Sequence, residues 1–233
     1  MRNQLTSAAL ISSVVLFLSL ATPQTQAATA LVSDTPISEF PDTTLENWSE
    51  RSFDGNTHYE LIEVEGFRVL MAHTQKQASI LYREETIDLK KTPVINWAWK
   101  VDRTYMHIDE QTRAGDDFPA RLYVVAQVGF LPWETLAINY VWASAVAVGE
   151  TWFNPFSDKA KMVAIQSGDT HVGKWTRHSR NVAMDFKTLF NQELQEIKGY
   201  AVMVDGDNAQ LEATAWFGEI TFNARSASTK DPM

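Results

Sequence analysis

The chain contains no cysteine. That absence excludes disulfides, thiolate metal sites, a cysteine nucleophile and the lipidated cysteine of a lipoprotein anchor. Positive charge is also in short supply: 20 Lys and Arg against 29 Asp and Glu leave a formal charge of −9. An acidic surface repels phosphate backbones and anionic lipid, so nucleic-acid binding and membrane-surface binding are not expected of the processed chain. Internal repeats and low-complexity tracts are missing. The serine elbow Gly-x-Ser-x-Gly does not occur, and the five histidines form no HExxH zinc pattern.

Long apolar runs are limited to one, Ala8 to Leu20, interrupted only by three serines. Arg2 is the sole charge before Asp34. A run of about thirteen residues is too short for a membrane span, which needs roughly twenty, and it suits the core of a secretory signal. Pro23 ends it, and cleavage after Ala27 or Ala30 satisfies the small-x-small rule; the alternative is an uncleaved anchor. Removing residues 1–27 takes away Arg2 and leaves a formal charge of −10 on 206 residues. The expected location is periplasmic or secreted, with no membrane contact after cleavage.

What is abundant is aromatic: eight Trp, six Tyr and twelve Phe. Ten apolar segments separated by turn residues read as short strands, from His58–Val64 through Thr214–Phe222. In Ile95-Asn96-Trp97-Ala98-Trp99-Lys100-Val101 the odd positions share one face and the even positions the other. Ile138, Tyr140 and Trp142 separate in the same way from Asn139 and Val141. Only residues 184–198 carry helical spacing, through Phe186, Leu189, Phe190 and Leu194. The expected fold is all-β: a two-sheet antiparallel, jelly-roll-like sandwich with one short helix near 184–198, a closed barrel being the alternative. The expected organisation is a signal at 1–27, an extended proline-bearing lead-in at 28–47, a single sandwich domain at 48–223 and a flexible tail at 224–233.

Gly168 to Trp175 nearly spells a phosphate-binding loop, but Trp175 stands where the magnesium-binding hydroxyl belongs and a strand follows, so a β-hairpin turn is expected. Asp205-Gly206-Asp207-Asn208 begins like a calcium loop and then departs from the EF-hand pattern. A looser calcium site from Asp205, Asp207 and Asn208 is the alternative to a tight turn. No other cofactor is indicated. The densest polar feature is Arg113-Ala-Gly-Asp116-Asp117-Phe-Pro-Ala-Arg121. Adjacent acids in an extended chain point to opposite faces, so Asp116 and Asp117 make a poor catalytic dyad by themselves. Arg177, Arg180 and Asp185 form a second mixed cluster, with Asp185 expected at the helix N-cap or in its first turn.

The ordered set Trp97-x-Trp99, Gly115-Asp116-Asp117-Phe118-x-Ala120-Arg121, Asn139-Tyr140-x-Trp142, Asn154-Pro155-Phe156 and Asp205-x-Asp207-Asn208 resembles the bacterial domain-of-unknown-function family three-zero-four-seven, over about Trp48 to Phe222. The resemblance implies an exported bacterial protein with a β-sandwich similar to carbohydrate-binding modules, and it supplies no activity. It also implies a small hydroxylated residue after Asn208, where this chain has Ala209.

Aromatic faces can stack on sugar rings while carboxylates and guanidinium groups hydrogen-bond hydroxyls. The expected function is therefore binding of a glycan or similar polyhydroxylated envelope ligand through Asp116, Asp117, Arg121, Asn139, Tyr140, Trp142, Arg180, Asp205 and Asp207. One alternative is a polysaccharide hydrolase or lyase using paired Asp residues; no catalytic residue is assigned. Another is a structural envelope protein whose tryptophans are core. Two acids facing each other across an open cleft favour catalysis, whereas an arginine plugged between them favours structure.

Overall fold

The computed structural model describes residues 38–131 and 134–224. The expected signal segment, the lead-in up to residue 37 and the tail from residue 225 lie outside them. Among the described residues there are twelve strands, β1 Ser49–Asp54, β2 His58–Val64, β3 Phe67–Gln75, β4 Ala78–Asp88, β5 Val94–Val101, β6 Arg121–Gln127, β7 Thr135–Ala143, β8 Thr151–Asn154, β9 Ser157–Ser167, β10 Thr176–Asn181, β11 Glu196–Met203 and β12 Glu212–Asn223, with one α-helix, α1 Val182–Phe190. They build a seven-stranded sheet in the order β1-β4-β11-β6-β7-β9-β8 and a five-stranded sheet in the order β10-β5-β12-β3-β2. The result is the expected sandwich, antiparallel except where β9 lies parallel to β7.

The ten expected strands are all present. The two that were not expected lack an alternating pattern: every residue of β1 is exposed, and β8 has only four residues. The helix differs from its expected span. Asn181 caps it by accepting from the Met184 N–H, and Asn191 ends it in the left-handed conformation at φ 55°. Five residues further on the chain enters β11, where Ile197, Tyr200 and Val202 serve the sheet instead of a helix face. Gly168–Trp175 is not a hairpin, because it carries the chain from β9 in one sheet to β10 in the other.

Between the sheets lies an aromatic core. Trp97 and Trp99 from β5 meet Tyr140 and Trp142 from β7, with the Trp97 and Tyr140 rings stacked at 5.4 Å. His178 sits against both β5 tryptophans. Each buried aromatic removes 150–250 Å² from water, roughly 4–6 kcal/mol of gross hydrophobic stabilisation before conformational entropy is counted. Packing therefore explains why the odd positions of β5 and the even positions of β7 are apolar and carry the large aromatics.

In β7 the same alternation sends the other set of side chains to the outer face of the seven-stranded sheet. Strand register aligns Ile80, Met203, Arg121, Val141 and Ala164 in one row across β4, β11, β6, β7 and β9. The next row holds Tyr82, Ala201, Tyr123, Asn139 and Met162. Over β7, β9 and β8 this face is closed by a small apolar cluster of Phe118, Val141, Ala143, Trp152, Met162 and Ala164. Over β1, β4, β11 and β6 it stays open as a groove.

Candidate functional site

Arg121, the first residue of β6, organises the closed end of that groove. Its Nε donates to Asp205 Oδ1 at 2.8 Å and its Nη2 to Asp205 Oδ2. Nη2 also reaches the Asp116 carbonyl, and Nη1 lies 3.6 Å from Asp116 Oδ1. The guanidinium stacks 4.5 Å above the Phe118 ring. Arginine alone supplies five donors in a planar fork, which is why one residue can hold a carboxylate, a carbonyl and a ring face together.

Two glycines let the acids approach. A Cβ on Gly115 would collide with the Asp109 backbone, and one on Gly206 would collide with the Leu211 carbonyl. The Gly-Asp-Asp and Asp-Gly-Asp motifs therefore fold as tight loops, which press Asp116 and Asp117 against Asp205 and Asp207 from 88 or more residues away in sequence. Asp117 is wholly buried. It accepts from the Asn208 N–H at 3.2 Å, the Asn208 Nδ2 at 3.0 Å and the Ala209 N–H at 2.6 Å. Asp205 also accepts from the Phe118 N–H, while Tyr105 donates to its carbonyl at 2.7 Å. Asn154, at the end of β8, donates to Asp116 Oδ2 at 2.8 Å and accepts from the Phe156 N–H, fixing the β8–β9 turn to the cluster.

Above these groups lies an open pocket of about 330 Å³ with Asp116, Arg121, Tyr123, Asn154, Asp207 and Asn208 in its lining. Phe53 from β1 and Phe156 from the β8–β9 turn line it too, with 57 % and 53 % of their surfaces exposed. Arginines stack on both rings, Arg51 on Phe53 and Arg113 on Phe156. Phe53 also lines the larger groove of about 710 Å³ over β1, β4, β6 and β11, shared with Arg51, Tyr82, Val125, Gln127 and Tyr200.

Four carboxylates around one guanidinium leave negative charge in excess. Burial pushes the Asp205 carboxyl up to about 8, with Arg121 pulling it down and Asp117 and Asp116 pushing it further up. Burial raises Asp116 against Arg121 and Asn154, and it raises Asp207 with help from Asp117. Asp117, Asp205 and Asp207 place carboxylate oxygens within 4.8 Å of one another, the arrangement that a hard cation needs. Both Asp205 oxygens already face the guanidinium, however, so Arg121 supplies the positive charge at this spot. Asp117 and Asp205 are buried, and Arg121 spans from Asp116 to Asp205. Asp116 and Asp207 reach the lining of the open pocket from opposite loops.

The nine residues expected at one site divide between places. Asp116, Asp117, Arg121, Asp205 and Asp207 converge. Tyr140 and Trp142 point inward instead and are fully buried; Trp142 donates to the Gly168 carbonyl. Arg180 binds Asp185 through two nitrogens, and Tyr140 donates to the same carboxylate at 2.7 Å, so this second cluster closes the inner core beside α1. Asp185 lies in the first turn of α1 and does not cap it. Asn139 is on the outer face beside Tyr123 but is buried. Sequence reasoning missed Phe53, Tyr123, Asn154 and Phe156 as site residues. Of these, Asn154 and Phe156 carried a signal, within Asn154-Pro155-Phe156.

Fold and site thus define an all-β sandwich with an arginine-centred acidic pocket on the outer face of its larger sheet. The chain belongs to the family described as protein of unknown function (DUF3047), whose model matches residues 46–221. No curated protein matches it. Among solved structures it is similar to a non-crystalline cellulose specific carbohydrate-binding module, CBM28, at 12 % identity and TM-score 0.42, covering 81 % of this chain and 94 % of that one. It is similar also to TmCBM61 in complex with beta-1,4-galactotriose, at 6 % identity and TM-score 0.38, covering 78 % and 90 %. A third is the endoglucanase cel12A from Rhodothermus marinus, at 8 % identity and TM-score 0.38, covering 77 % and 96 %.

Proposed function

We propose that this protein is an exported binding module, periplasmic or secreted, that takes a glycan or similarly polyhydroxylated ligand in the pocket over Arg121. The supporting observation is the composition of that pocket. A floor of fixed acceptors and donors from Asp116, Arg121, Tyr123, Asn154, Asp207 and Asn208 lies between two half-exposed phenylalanines. Sugar rings present apolar faces ringed by hydroxyls, and they match aromatic walls with a polar floor. The open groove that shares Phe53 gives room for further units of the same chain. Export is supported by the apolar Ala8–Leu20 run followed by small residues.

The test is a glycan array followed by calorimetric titration of each hit. Binding should fall roughly fivefold or more in Phe156→Ala and Asp207→Asn, since each removes a contact worth about 1 kcal/mol or more, while melting temperatures stay within a few degrees. Flat titrations across envelope polysaccharides, or hits untouched by both substitutions, would remove the pocket from the function.

A further inference from the structure

Donors are scarce in the pocket over Arg121. Arg121 directs Nε and Nη2 at Asp205 and the Asp116 carbonyl, and its Nη1 reaches the Tyr123 hydroxyl at 3.4 Å. Asn154 Nδ2 donates to Asp116 Oδ2, Asn208 Nδ2 to Asp117 and Asp207, and the Tyr123 hydroxyl to Met203 Sδ. Every side-chain donor in the lining thus already has an acceptor inside the protein. With acceptors the balance is reversed. Asp116 Oδ1 is buried without a hydrogen bond, 3.6 Å from Arg121 Nη1. On the same sheet face Asn139, opposite Tyr123 in the strand register, is 1 % exposed, and its Oδ1 has no hydrogen bond either. Asp207 is half-buried in the lining, and the only side-chain donor to its carboxylate among the described residues is Asn208 Nδ2, at 3.3 Å.

Charge runs the same way. Burial, which one guanidinium does not offset, raises the Asp116, Asp205 and Asp207 carboxyls. Arg51 and Arg113 stack on the Phe53 and Phe156 rings, but neither lines this pocket. A fitting ligand therefore brings donors and positive charge together. A sugar hydroxyl carries one donor and no charge, whereas an ammonium carries three donors and a full charge, and its bonds to carboxylates are the strong, charge-assisted kind. Resting on the reading of this pocket as a glycan site, we propose that its ligand is an amino sugar with a free, protonated amine, the ammonium seated over Asp207 and Asp116 and the ring against Phe156. N-acetylation removes the charge and all but one of the donors, so the acetylated sugar lacks what the pocket selects. The formal charge of −9 draws a cation toward the protein before it reaches the pocket.

The test is calorimetric titration with short oligosaccharides of glucosamine and of galactosamine, each as the free amine and as its N-acetylated counterpart, at about pH 6, where an amino group is protonated. The free-amine form should bind about tenfold or more tighter, because it adds a charge-assisted contact. Asp207→Asn should shrink that preference to about threefold or less, whereas Phe156→Ala should weaken both forms alike. Melting temperatures check that both variants are folded. Equal binding of the two forms, still sensitive to Phe156→Ala, would overturn the ammonium and leave the glycan reading standing, as would neutral glycans bound at this pocket with all four oligosaccharides silent. Silence from every glycan would overturn both. A preference that survives Asp207→Asn would assign the attraction to the acidic surface at large, and spermidine bound as tightly as the oligosaccharide would assign it to a polyamine; either result overturns the proposal.

Discussion

Two buried regions of this molecule handle polar atoms in opposite ways. Between the sheets, Trp97, Trp99 and His178 pack ring against ring, and Trp97 Nε1, Trp99 Nε1 and His178 Nδ1 are buried without a hydrogen-bond partner. On the outer face, the acids around Arg121 accept from backbone amides, Asn154, Asn208 and the guanidinium, with Asp116 Oδ1 left at 3.6 Å from Arg121 and without a hydrogen bond. The inner region gains so much from aromatic burial that it tolerates idle N–H groups. The outer one buries little apolar surface and is held by directed contacts. One wins by area and the other by geometry, and a geometric network is the kind that a ligand can join.

Removing Arg121 should give the largest effect. Measured above pH 8, where the folded protein carries Asp205 ionised, Arg121→Ala leaves Asp205 and Asp116 buried without their cation, and an unpaired buried charge costs about 3–5 kcal/mol. Arg121→Met combined with Asp205→Leu removes both charges and should recover much of that loss, because apolar replacements of a whole buried pair are often near neutral. Urea titration of the two variants separates the outcomes. Equal losses in both would mean that the network stabilises through packing against Phe118 and not through charge.

How much of this contrast could be seen in the sequence depends on what each region uses. Alternation in Ile95–Val101 and Ile138–Trp142 marked both strands and divided their residues into two faces. It did not say which face meets solvent, so Tyr140 and Trp142 were placed with the ligand residues although they line the inner core. The acidic motifs carried a different signal. Gly-Asp-Asp and Asp-Gly-Asp were conspicuous because a close-approach glycine beside acids is a local feature. That Asp116 and Asp117 meet Asp205 and Asp207 is a fact of topology, set by β6 and β11 lying side by side. Phe53 was invisible because β1 is exposed along its whole length and has no pattern to read.

The two regions should also respond oppositely to pH. Burial holds His178 neutral, with its pKa down to about 3 from 6.5. The unfolded chain takes up that proton near 6.5 and the folded chain does not, so the contribution is intact above pH 6.5 and is lost as pH falls toward 3, at up to about 1.4 kcal/mol per unit. The Asp205 carboxyl is raised from 3.8 to about 8, so the folded state holds a proton that the unfolded state has released. Its contribution is intact below 3.8 and is lost as pH rises through 8. The two windows overlap between pH 3.8 and 6.5, where the opposite slopes cancel, so melting temperature should stay level across that range and fall between 6.5 and about 8. His178→Phe should extend the fall down to about pH 4, and Asp205→Asn should remove it and expose a rise up to pH 6.5. If both substitutions shifted the profile in the same direction, the assignment of opposite signs to the two regions would fail.

The smallest expected effect is at Asn154, which ties the β8–β9 turn to the network. Asn154→Ala gives up the bonds to Asp116 Oδ2 and from the Phe156 N–H, and the loss should be about 1 kcal/mol, since water can partly replace both at a half-buried position. Asn154→Asp keeps the bond from Phe156 but sets a carboxylate against Asp116, whose pKa burial already raises. At neutral pH this variant should be less stable than Asn154→Ala. As pH falls the two acids can share a proton, and the order of the variants should reverse. Two melting curves for each variant, at pH 7.5 and pH 5, are enough. A constant gap between the variants would mean that Asn154 acts on the turn alone, and that the outer network ends at Asp116 without reaching β8.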